Sequence, residues 1–277
     1  MKLLALTPLA LLFTAAAPAP AQEAIGRPAG YSLVWADEFK GSGMPDTKKW
    51  AYDTAFNKKG WFNEEKQYYS NARSKNSRVR NGRLIIEAHA EKLDPKRFPD
   101  WGGQPYTSAR LFTRGIQSWQ YGYFEARAKL PCGLGTWPAI WTLSDGTNTK
   151  WPDDGEIDIM EHVAQDPGTV HHSIHTKAFN HVAKTQKTAT SKVPDACTAF
   201  HDYQLLWTRD TIRMGIDGRE LFRFDRPSDK MEEWPFDRPH YLILNLAMGG
   251  WGGLKGIDDS ALPEKFEVDY VRVYQAK

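Results

Sequence analysis

Short segments in which side chains of opposite character alternate recur along the whole chain, and this period of two constrains the fold most. In Tyr241–Met248, for example, three leucines share one face and Asn245 takes the other. Such alternation places one face of a strand against a core and the other toward solvent or a ligand. No amphipathic segment of helical period is longer than about two turns. The sequence therefore predicts an all-β protein, an antiparallel β-sandwich.

Turn residues mark where some of these strands reverse. Asn81-Gly82 separates two alternating runs, and Asp217-Gly218 lies within Ile212–Phe224. Both dipeptides are typical of two-residue hairpin turns. Trp61–Tyr69 is polar and aromatic at once, so we expect a surface loop over a ligand there. The Thr- and Lys-rich stretch behind His175–His181 predicts a long polar loop at a cleft edge.

One segment carries three acids within six residues, Glu156, Asp158 and Glu161. On a strand Glu156 and Asp158 share one face, whereas strict alternation turns Glu161 away. A β-bulge around Ile159 or Met160 would insert one extra residue and return Glu161 to the same side. Three carboxylates would then line one short stretch.

The bulge sets the distance between the two glutamates. Four strand steps separate Glu156 from Glu161, roughly 13 Å at ~3.3 Å per residue, and side chains that lean together close much of that gap. A carboxyl separation of ~5–5.5 Å is typical of glycoside hydrolases that retain the anomeric configuration. Asp158 would change the proton affinity of its neighbours. The alternatives are a solvated acidic edge strand or a cation site.

The N-terminus has the pattern of an export signal. Lys2 precedes an apolar run, Leu3–Phe13, and small residues end at Ala19-Pro20-Ala21. Residues 1–21 are therefore predicted to be a signal peptide, too short to span a membrane. We expect residues 22–277 to form a single exported domain, either secreted or periplasmic.

The overall charge and the aromatic content indicate which class of ligand the protein binds. A formal net charge of +2 gives no strong field toward nucleic acid or an anionic membrane. The chain contains 11 Trp, and Trp in excess of core needs suits a surface that stacks on flat apolar faces such as sugar rings. Because several strand faces carry Trp, Asn, His or acids, we expect a concave groove for a long, neutral, chain-like ligand. Cys132 and Cys197 can form one disulfide, although the sequence does not show that they meet.

Seven segments, in order through nearly the whole chain after residue 21, resemble glycoside hydrolase family 16, and most closely its laminarinase or endo-β-1,3-glucanase branch. They are W-A-D-E-F at 35–39, N-G-R-L-I-I-E-A at 81–88, Y-G-Y-F-E-A-R-A-K-L-P at 121–131, W-P-A-I-W at 137–141, G-E-I-D-I-M-E at 155–161, W-P-F-D-R-P-H-Y-L-I-L-N-L-A-M-G-G-W-G-G at 234–253 and V-D-Y-V-R-V-Y at 268–274. The acidic segment is specific when it follows W-P-A-I-W.

The resemblance implies a jelly roll with a substrate cleft on the concave sheet. It implies that Glu156 is the nucleophile, that Glu161 is the general acid and then base, and that Asp158 tunes Glu156. No cofactor is required for this chemistry. The bulged form of the motif is typical of enzymes that cut β-1,3 or mixed-linkage glucan and of several algal-galactan enzymes.

Further candidates line the expected cleft. Tryptophans 137, 141, 151 and 251 are candidates for stacking on glucosyl rings, with core packing as the alternative. The family places polar sugar contacts at Asn63 and Arg110, although a surface salt bridge also explains Arg110. Alternation puts His175 and Asn245 on the cleft side. The candidate substrate-binding residues are thus Asn63, Arg110, Trp137, Trp141, Trp151, His175, Asn245 and Trp251.

Two sets of residues bear on metal binding. His171 and His175 are four apart, a spacing that serves a helix face, and their segment is predicted to be a strand, so the pattern disfavours zinc. The resemblance implies a structural calcium ion on the convex side, held by Glu38, the Gly82 carbonyl and Asp269, because oxygen ligands suit that ion.

The sequence thus predicts an exported, monomeric, endo-acting and retaining β-glucanase, with β-glucan as its only partner. One alternative is the same chemistry on sulfated or anhydro-galactans. Another is a glucan-binding module that kept the fold without catalysis. Linkage preference, β-1,3 or mixed, is not decided by the sequence.

Overall fold

The structure is a computed structural model, and it describes residues 23–277. The predicted signal peptide, residues 1–21, lies outside the described residues. Within residues 23–277 no helix is both long enough and apolar enough to cross a bilayer.

Seven strands form the sheet that carries the acidic segment. Their spatial order is β12-β11-β10-β9-β16-β7-β2. The strands are β2 (Ala51–Tyr52), β7 (Arg110–Phe112), β9 (Thr136–Ser144), β10 (Glu156–His162), β11 (Thr169–His175), β12 (Lys187–Lys192) and β16 (His240–Met248). All neighbouring pairs in this sheet are antiparallel.

A second sheet of ten strands packs against the first. Its main order is β15-β14-β13-β8-β17-β5-β6-β3, with β1 paired to β17 and β4 paired to β5. The strands are β1 (Tyr31–Asp37), β3 (Gln67–Tyr69), β4 (Ser77–Arg80), β5 (Arg83–Ala90), β6 (Tyr106–Ser108), β8 (Gly122–Lys129), β13 (His201–Trp207), β14 (Thr211–Ile216), β15 (Arg219–Asp225) and β17 (Glu264–Ala276). Three short 3₁₀ helices, Phe62–Glu64, Gly250–Gly253 and Asp259–Ala261, complete the regular structure of the described residues.

The core lies between the two sheets. The residues buried in it confirm the predicted alternation of side chains along the strands. Ile140, Ile157 and Leu244 from the seven-stranded sheet are fully buried, as are Val268 and Val273 from the other. Burial of such side chains contributes roughly 25 cal/mol per Å² of apolar surface removed from water. The predicted fold class, an all-β jelly-roll sandwich, is therefore confirmed.

Both predicted hairpins are present. Asn81 and Gly82 join β4 to β5 with φ of 54° and 72°, and Asp217 and Gly218 join β14 to β15 with φ of 51° and 79°. Positive φ at both central residues is the requirement of a type I′ turn, which Asn-Gly and Asp-Gly satisfy at low cost.

Two details of the prediction are wrong. Only the first part of Trp61–Tyr69 is a surface loop, since Gln67–Tyr69 is the buried strand β3. This strand pairs in parallel with β6, the one parallel pair among the strands of residues 23–277. The stretch after His181 is not all loop, because Lys187–Lys192 is β12, the edge strand of the seven-stranded sheet.

The residues proposed for calcium already have cationic partners. Both carboxylate oxygens of Glu38 accept hydrogen bonds from the Arg272 guanidinium, at 2.7 and 2.9 Å. Asp269 lies 3.3 Å from the guanidinium of Arg127. A calcium ion bound by the Glu38 carboxylate would compete with Arg272, and the calcium site stays a prediction.

Cys132 and Cys197, whose pairing the sequence left open, form a disulfide with a Cα–Cα distance of 5.8 Å. The bond links the segment after β8 to the segment after β12 across 65 positions of sequence. Closing a loop of that length restricts the unfolded chain, which in the chain-entropy model stabilises the native state by about 4 kcal/mol.

We predict that replacing both cysteines by alanine lowers the free energy of unfolding by roughly 2–4 kcal/mol. Urea unfolding with and without a thiol reductant measures this difference. Reductant should lower the free energy of unfolding of the wild type to nearly that of the double variant. It should leave the free energy of unfolding of the double variant unchanged. Equal stability of both proteins without reductant would contradict the pairing.

Candidate active site

A bulge in β10 brings the three acids to one face. The register of β10 shifts between Asp158 and Glu161 against β11, and between Asp158 and Met160 against β9. Ile159 and Met160 both enter the core, 2% and 0% exposed, so Glu161 returns to the side of Glu156. The predicted bulge is confirmed.

His172, on β11 beside the bulge, forms a hydrogen bond to the backbone of the bulge. Its Nδ1 lies 2.7 Å from the carbonyl oxygen of Ile159, which accepts the hydrogen bond. The His172 side chain is fully buried, and burial lowers its pKa to about 4. A neutral imidazole therefore holds the bulge from the core side, a role that the sequence reasoning missed.

The outer face of the seven-stranded sheet carries a cleft in two adjoining halves. The Arg110 half, about 480 Å³, lies over β7, β16 and β9, and the His171 half, about 360 Å³, lies over β11 and β12. Glu156 and Glu161 line both halves. The candidate substrate-binding residues all line the cleft: Asn63, Arg110, Trp137, Trp141, Trp151 and Asn245 in the first half, and His175 and Trp251 in the second.

The Glu156 carboxyl group accepts a hydrogen bond from Trp151 at the rim of the cleft. The indole Nε1 of Trp151 donates a hydrogen bond to its Oε2 at 2.6 Å. Burial and the charge of Asp158 raise the pKa of Glu156 well above its usual range, while His175 and the Trp151 hydrogen bond oppose that rise.

Asp158 lies at the floor of the cleft and is 2% exposed. Its Oδ2 is 3.2 Å from Nε2 of His175 but forms no well-aligned hydrogen bond. Burial and the charge of Glu161 raise the pKa of Asp158 well above its usual range. A carboxyl so enclosed is poised to keep a proton.

Glu161 lies beside the Trp137 indole, whose Nε1 donates a hydrogen bond to Oε1 at 3.1 Å. Burial, followed by the charge of Glu156, raises the pKa of Glu161 to about 8. A carboxyl that remains protonated at neutral pH can act as a general acid.

The aromatic residues of the cleft are fixed by polar partners. Trp141 donates through Nε1 to Oδ1 of Asn245 at 2.7 Å, and the Arg110 guanidinium lies 4.7 Å from the centre of the Trp141 ring. Arg110 also forms a salt bridge to Asp53 at 3.0 Å. Arg110 thus lines the cleft and is also ion-paired, and its contact with a sugar hydroxyl stays a prediction.

In the His171 half of the cleft, the Trp251 ring packs against both Trp137 and His171. The ring centres of Trp137 and Trp251 are 5.6 Å apart, and those of Trp251 and His171 are 4.7 Å apart, both edge to face. Edge-to-face packing restrains these rings and leaves part of each available to a ligand.

Several lining residues were missed by the sequence reasoning. Glu65 faces the Arg110 half, and its Oε2 accepts hydrogen bonds from Gln67 Nε2 at 2.7 Å and Tyr69 Oη at 3.2 Å. The other lining residues that were not named as site candidates include Phe62, His171, Ser173, His181, Val182, Gln186 and Thr188. Alternation along β11 indicates His171 and Ser173, and the loops expected over a ligand and at a cleft edge include the others.

Two groups of side chains in residues 23–277 have donor atoms close enough together to hold a metal ion. The first, Cys132, His162 and Cys197, contains the disulfide, so its sulfurs are not free thiolates. The second is Glu156, Asp158 and His175, whose donor atoms lie within 4.8 Å of one another. These are the residues at the centre of the cleft.

A family model described as glycosyl hydrolases family 16 matches residues 64–272. The chain belongs to glycoside hydrolase family 16. Membership makes it a glycoside hydrolase and accounts for the carboxyl-lined cleft.

Similar family-16 proteins cover most of this chain. A protein named beta-glucanase, from Rhodothermus marinus, is 50% identical over 254 residues, 88% of this chain and 85% of the relative. A mutant of SCLam, described as a non-specific endo-β-1,3(4)-glucanase, superimposes with a TM-score of 0.90 at 54% identity, covering 93% of this chain and 99% of the other. The laminarinase from Rhodothermus marinus gives a TM-score of 0.82 at 49% identity, with coverage of 88% and 97%.

The raised pKa of Glu161 predicts that the free energy of unfolding decreases as pH rises. The folded protein holds a proton on this carboxyl between about pH 4.5 and about 8, where the unfolded chain has released it. Stability is therefore unaffected by this group below about pH 4.5 and falls as pH rises from there to about 8, by at most about 1.4 kcal/mol per pH unit. Coupling to Glu156 reduces that figure.

We predict that Glu161→Gln is more stable than the wild type at pH 8, by roughly 2 kcal/mol, and similar to it at pH 4. Urea unfolding at both pH values measures this. Glu232→Gln, at an exposed site, is the matched control and should change neither value appreciably. The contrary result is a variant whose gain in free energy of unfolding over the wild type is no larger at pH 8 than at pH 4. It would argue against a protonated Glu161 in the folded protein.

Proposed function

We propose that this enzyme is an endo-acting β-1,3(4)-glucanase that hydrolyses β-1,3- or mixed-linkage glucan with retention of anomeric configuration. The observation that carries the proposal is the placement of Glu156, Asp158 and Glu161 on one bulged strand, at the middle of a cleft lined by tryptophans. Its similarity to SCLam and to the Rhodothermus marinus beta-glucanase supports the substrate class.

In the first step protonated Glu161 gives its proton to the glycosidic oxygen while the carboxylate of Glu156 attacks the anomeric carbon. The bond to the leaving sugar breaks, and a glycosyl ester forms on Glu156. In the second step Glu161, now ionised, takes a proton from water, and the water oxygen displaces Glu156 from the sugar. Both side chains return to their starting states, and the chain's own carboxyls suffice without a cofactor.

The shape of the cleft supports internal cleavage. The acids lie on β10, and lining residues extend to β7 on one side and to β12 on the other. A glucan chain can therefore occupy subsites on both sides of the scissile bond. Sulfated galactans are less favoured, because Arg110 is the only Lys or Arg that lines either half among residues 23–277, and it is already paired with Asp53.

The remaining parts of the proposal rest on the sequence. The signal-peptide pattern of residues 1–21 supports export, to the periplasm or the medium. We propose that the enzyme acts as a monomer, since a glucan chain needs only this one cleft.

We predict that Glu156→Ala and Glu161→Ala each lose nearly all hydrolysis and that azide restores turnover. Azide should give a glycosyl azide of inverted configuration with Glu156→Ala, because it takes the place of the nucleophile. With Glu161→Ala it should give the retained configuration, because it reacts with the glycosyl ester. Proton NMR of the products distinguishes the two. The same anomer from both variants, or an inverted wild-type product, would refute the assigned roles.

We predict early products of mixed length from laminarin or barley mixed-linkage glucan, and none from cellulose or starch. Short oligosaccharides should lose kcat as well as affinity, because binding energy from remote subsites is used at the transition state. Product analysis over time on these substrates and on agarose tests this. Glucose as the sole early product would exclude internal cleavage, and activity on agarose alone would assign the chain to galactans.

A further inference from the structure

On β11, His172 is the residue that lies opposite the bulge of β10. In the pairing of these two strands, both Ile159 and Met160 face this one residue. Against β9, Ile159 is the residue skipped between the pairs formed by Asp158 and Met160. Two residues opposite one define a β-bulge, and Ile159 is the inserted residue. His172 thus occupies the position at which the register of β10 changes before Glu161.

The imidazole of His172 is bonded to the inserted residue itself. Its Nδ1 donates a hydrogen bond to the Ile159 carbonyl oxygen at 2.7 Å, and the side chain is fully buried. Its Nε2 has no hydrogen-bond partner within residues 23–277, so this carbonyl is the one partner that the ring has there. Burying a half-satisfied imidazole costs free energy that an aliphatic side chain would not cost. The hydrogen bond therefore indicates a role beyond filling the core.

The position of Glu161 depends on the bulge more than the positions of Glu156 and Asp158 do. The latter two precede the bulge and pair with β9 and β11 in unbroken register. Glu161 follows the bulge, and the inserted residue turns its carboxyl toward the Trp137 indole, which donates to it at 3.1 Å. A shift of the bulge backbone would therefore move Glu161 relative to the other two acids.

We propose that His172 is a positioning residue for the general acid. Its hydrogen bond to Ile159 fixes the backbone of the bulge, and the bulge places the Glu161 carboxyl at the glycosidic oxygen. This role rests on the proposed glucanase function, in which Glu161 gives its proton to the leaving sugar. His172 lies on the core side of the sheet, so it acts through the backbone and does not touch the sugar. A displacement of about 1 Å at a reacting group can lower a rate about 100-fold.

The test compares His172→Leu and His172→Asn with the wild type. Leucine and asparagine have nearly the same shape, but only the asparagine amide can donate a hydrogen bond from close to the position of Nδ1. His172→Leu should lower kcat/KM on laminarin roughly ten- to a hundredfold, and His172→Asn should recover most of that loss. His172→Phe, which keeps a ring without the donor, is a second donor-free variant and should behave as His172→Leu does.

A substrate with a good leaving group separates an effect on the acid from general damage to the cleft. Dinitrophenyl β-laminaribioside releases a weakly basic phenolate, so its cleavage does not need the proton of Glu161. His172→Leu should therefore keep nearly the wild-type kcat/KM on this substrate, and so should Glu161→Ala. An equal loss on both substrates, no loss on either, or an asparagine variant as impaired as the leucine variant would overturn the proposal.

His240→Leu is the matched control. His240 is also fully buried in the seven-stranded sheet, on β16, which is not a neighbour of β10. Its Nδ1 forms a hydrogen bond with Thr142 Oγ1 at 2.9 Å. Loss of this bond should lower the melting temperature and leave the ratio of the two kcat/KM values unchanged. Thermal unfolding should show that every variant is folded at the assay temperature.

Crystal structures of His172→Leu and His172→Asn test the positioning role without any substrate. The Glu161 carboxyl should be displaced relative to Glu156 in the leucine variant and not in the asparagine variant. An undisplaced Glu161 in His172→Leu would overturn the role of His172, even with the glucanase function confirmed. A wild type that cleaves neither laminarin nor the laminaribioside would instead refute the glucanase function, and a displaced Glu161 would still support His172 as the residue that positions it.

Discussion

The bulge in β10 is the constraint on which the catalytic arrangement depends. A regular strand would turn Glu161 into the core, where a carboxyl has no partner and costs several kcal/mol to ionise. Two consecutive apolar residues, Ile159 and Met160, fill the core instead. The hydrogen bond from His172 to the Ile159 carbonyl then compensates for the broken ladder. Core packing thus determines which carboxyls reach the cleft.

The features predictable from the sequence were local ones. Alternation along β9, β10 and β16 placed Trp137, Trp141 and Asn245 on the cleft side, and the period of two requires no knowledge of neighbouring strands. The hairpin at Asn81-Gly82 was likewise predictable, because the turn type demands those residues. Family resemblance then ordered these strands into a jelly roll with the acids in a cleft.

The missed features depend on partners far away in sequence. β12 has no fully buried residue and is rich in Thr and Lys, so no apolar alternation distinguishes it from a loop. β3 became a strand because β6, about forty residues later, supplies a parallel partner. The position of Glu65 follows from a backbone bridge to Gly249, nearly two hundred residues later, and its carboxylate then accepts hydrogen bonds from Gln67 and Tyr69 of β3. Likewise, the meeting of Cys132 and Cys197 follows from sheet topology rather than from spacing.

Asp158 is buried and Glu156 and Glu161 are half-buried beside it, so ionising all three carboxyls together is unfavourable, and their contacts indicate where the protons remain. Glu156 receives a well-formed hydrogen bond from Trp151, which favours its anion, as the nucleophilic role requires. Asp158 is more deeply buried, and its Oδ2 has no aligned donor. We infer that Asp158 keeps a proton and shares it with Glu156, while Glu161 keeps its own until the leaving sugar takes it. The burial that makes this cleft costly to fold therefore supports the proposed roles of the three acids as a nucleophile, a neutral neighbour and a proton donor.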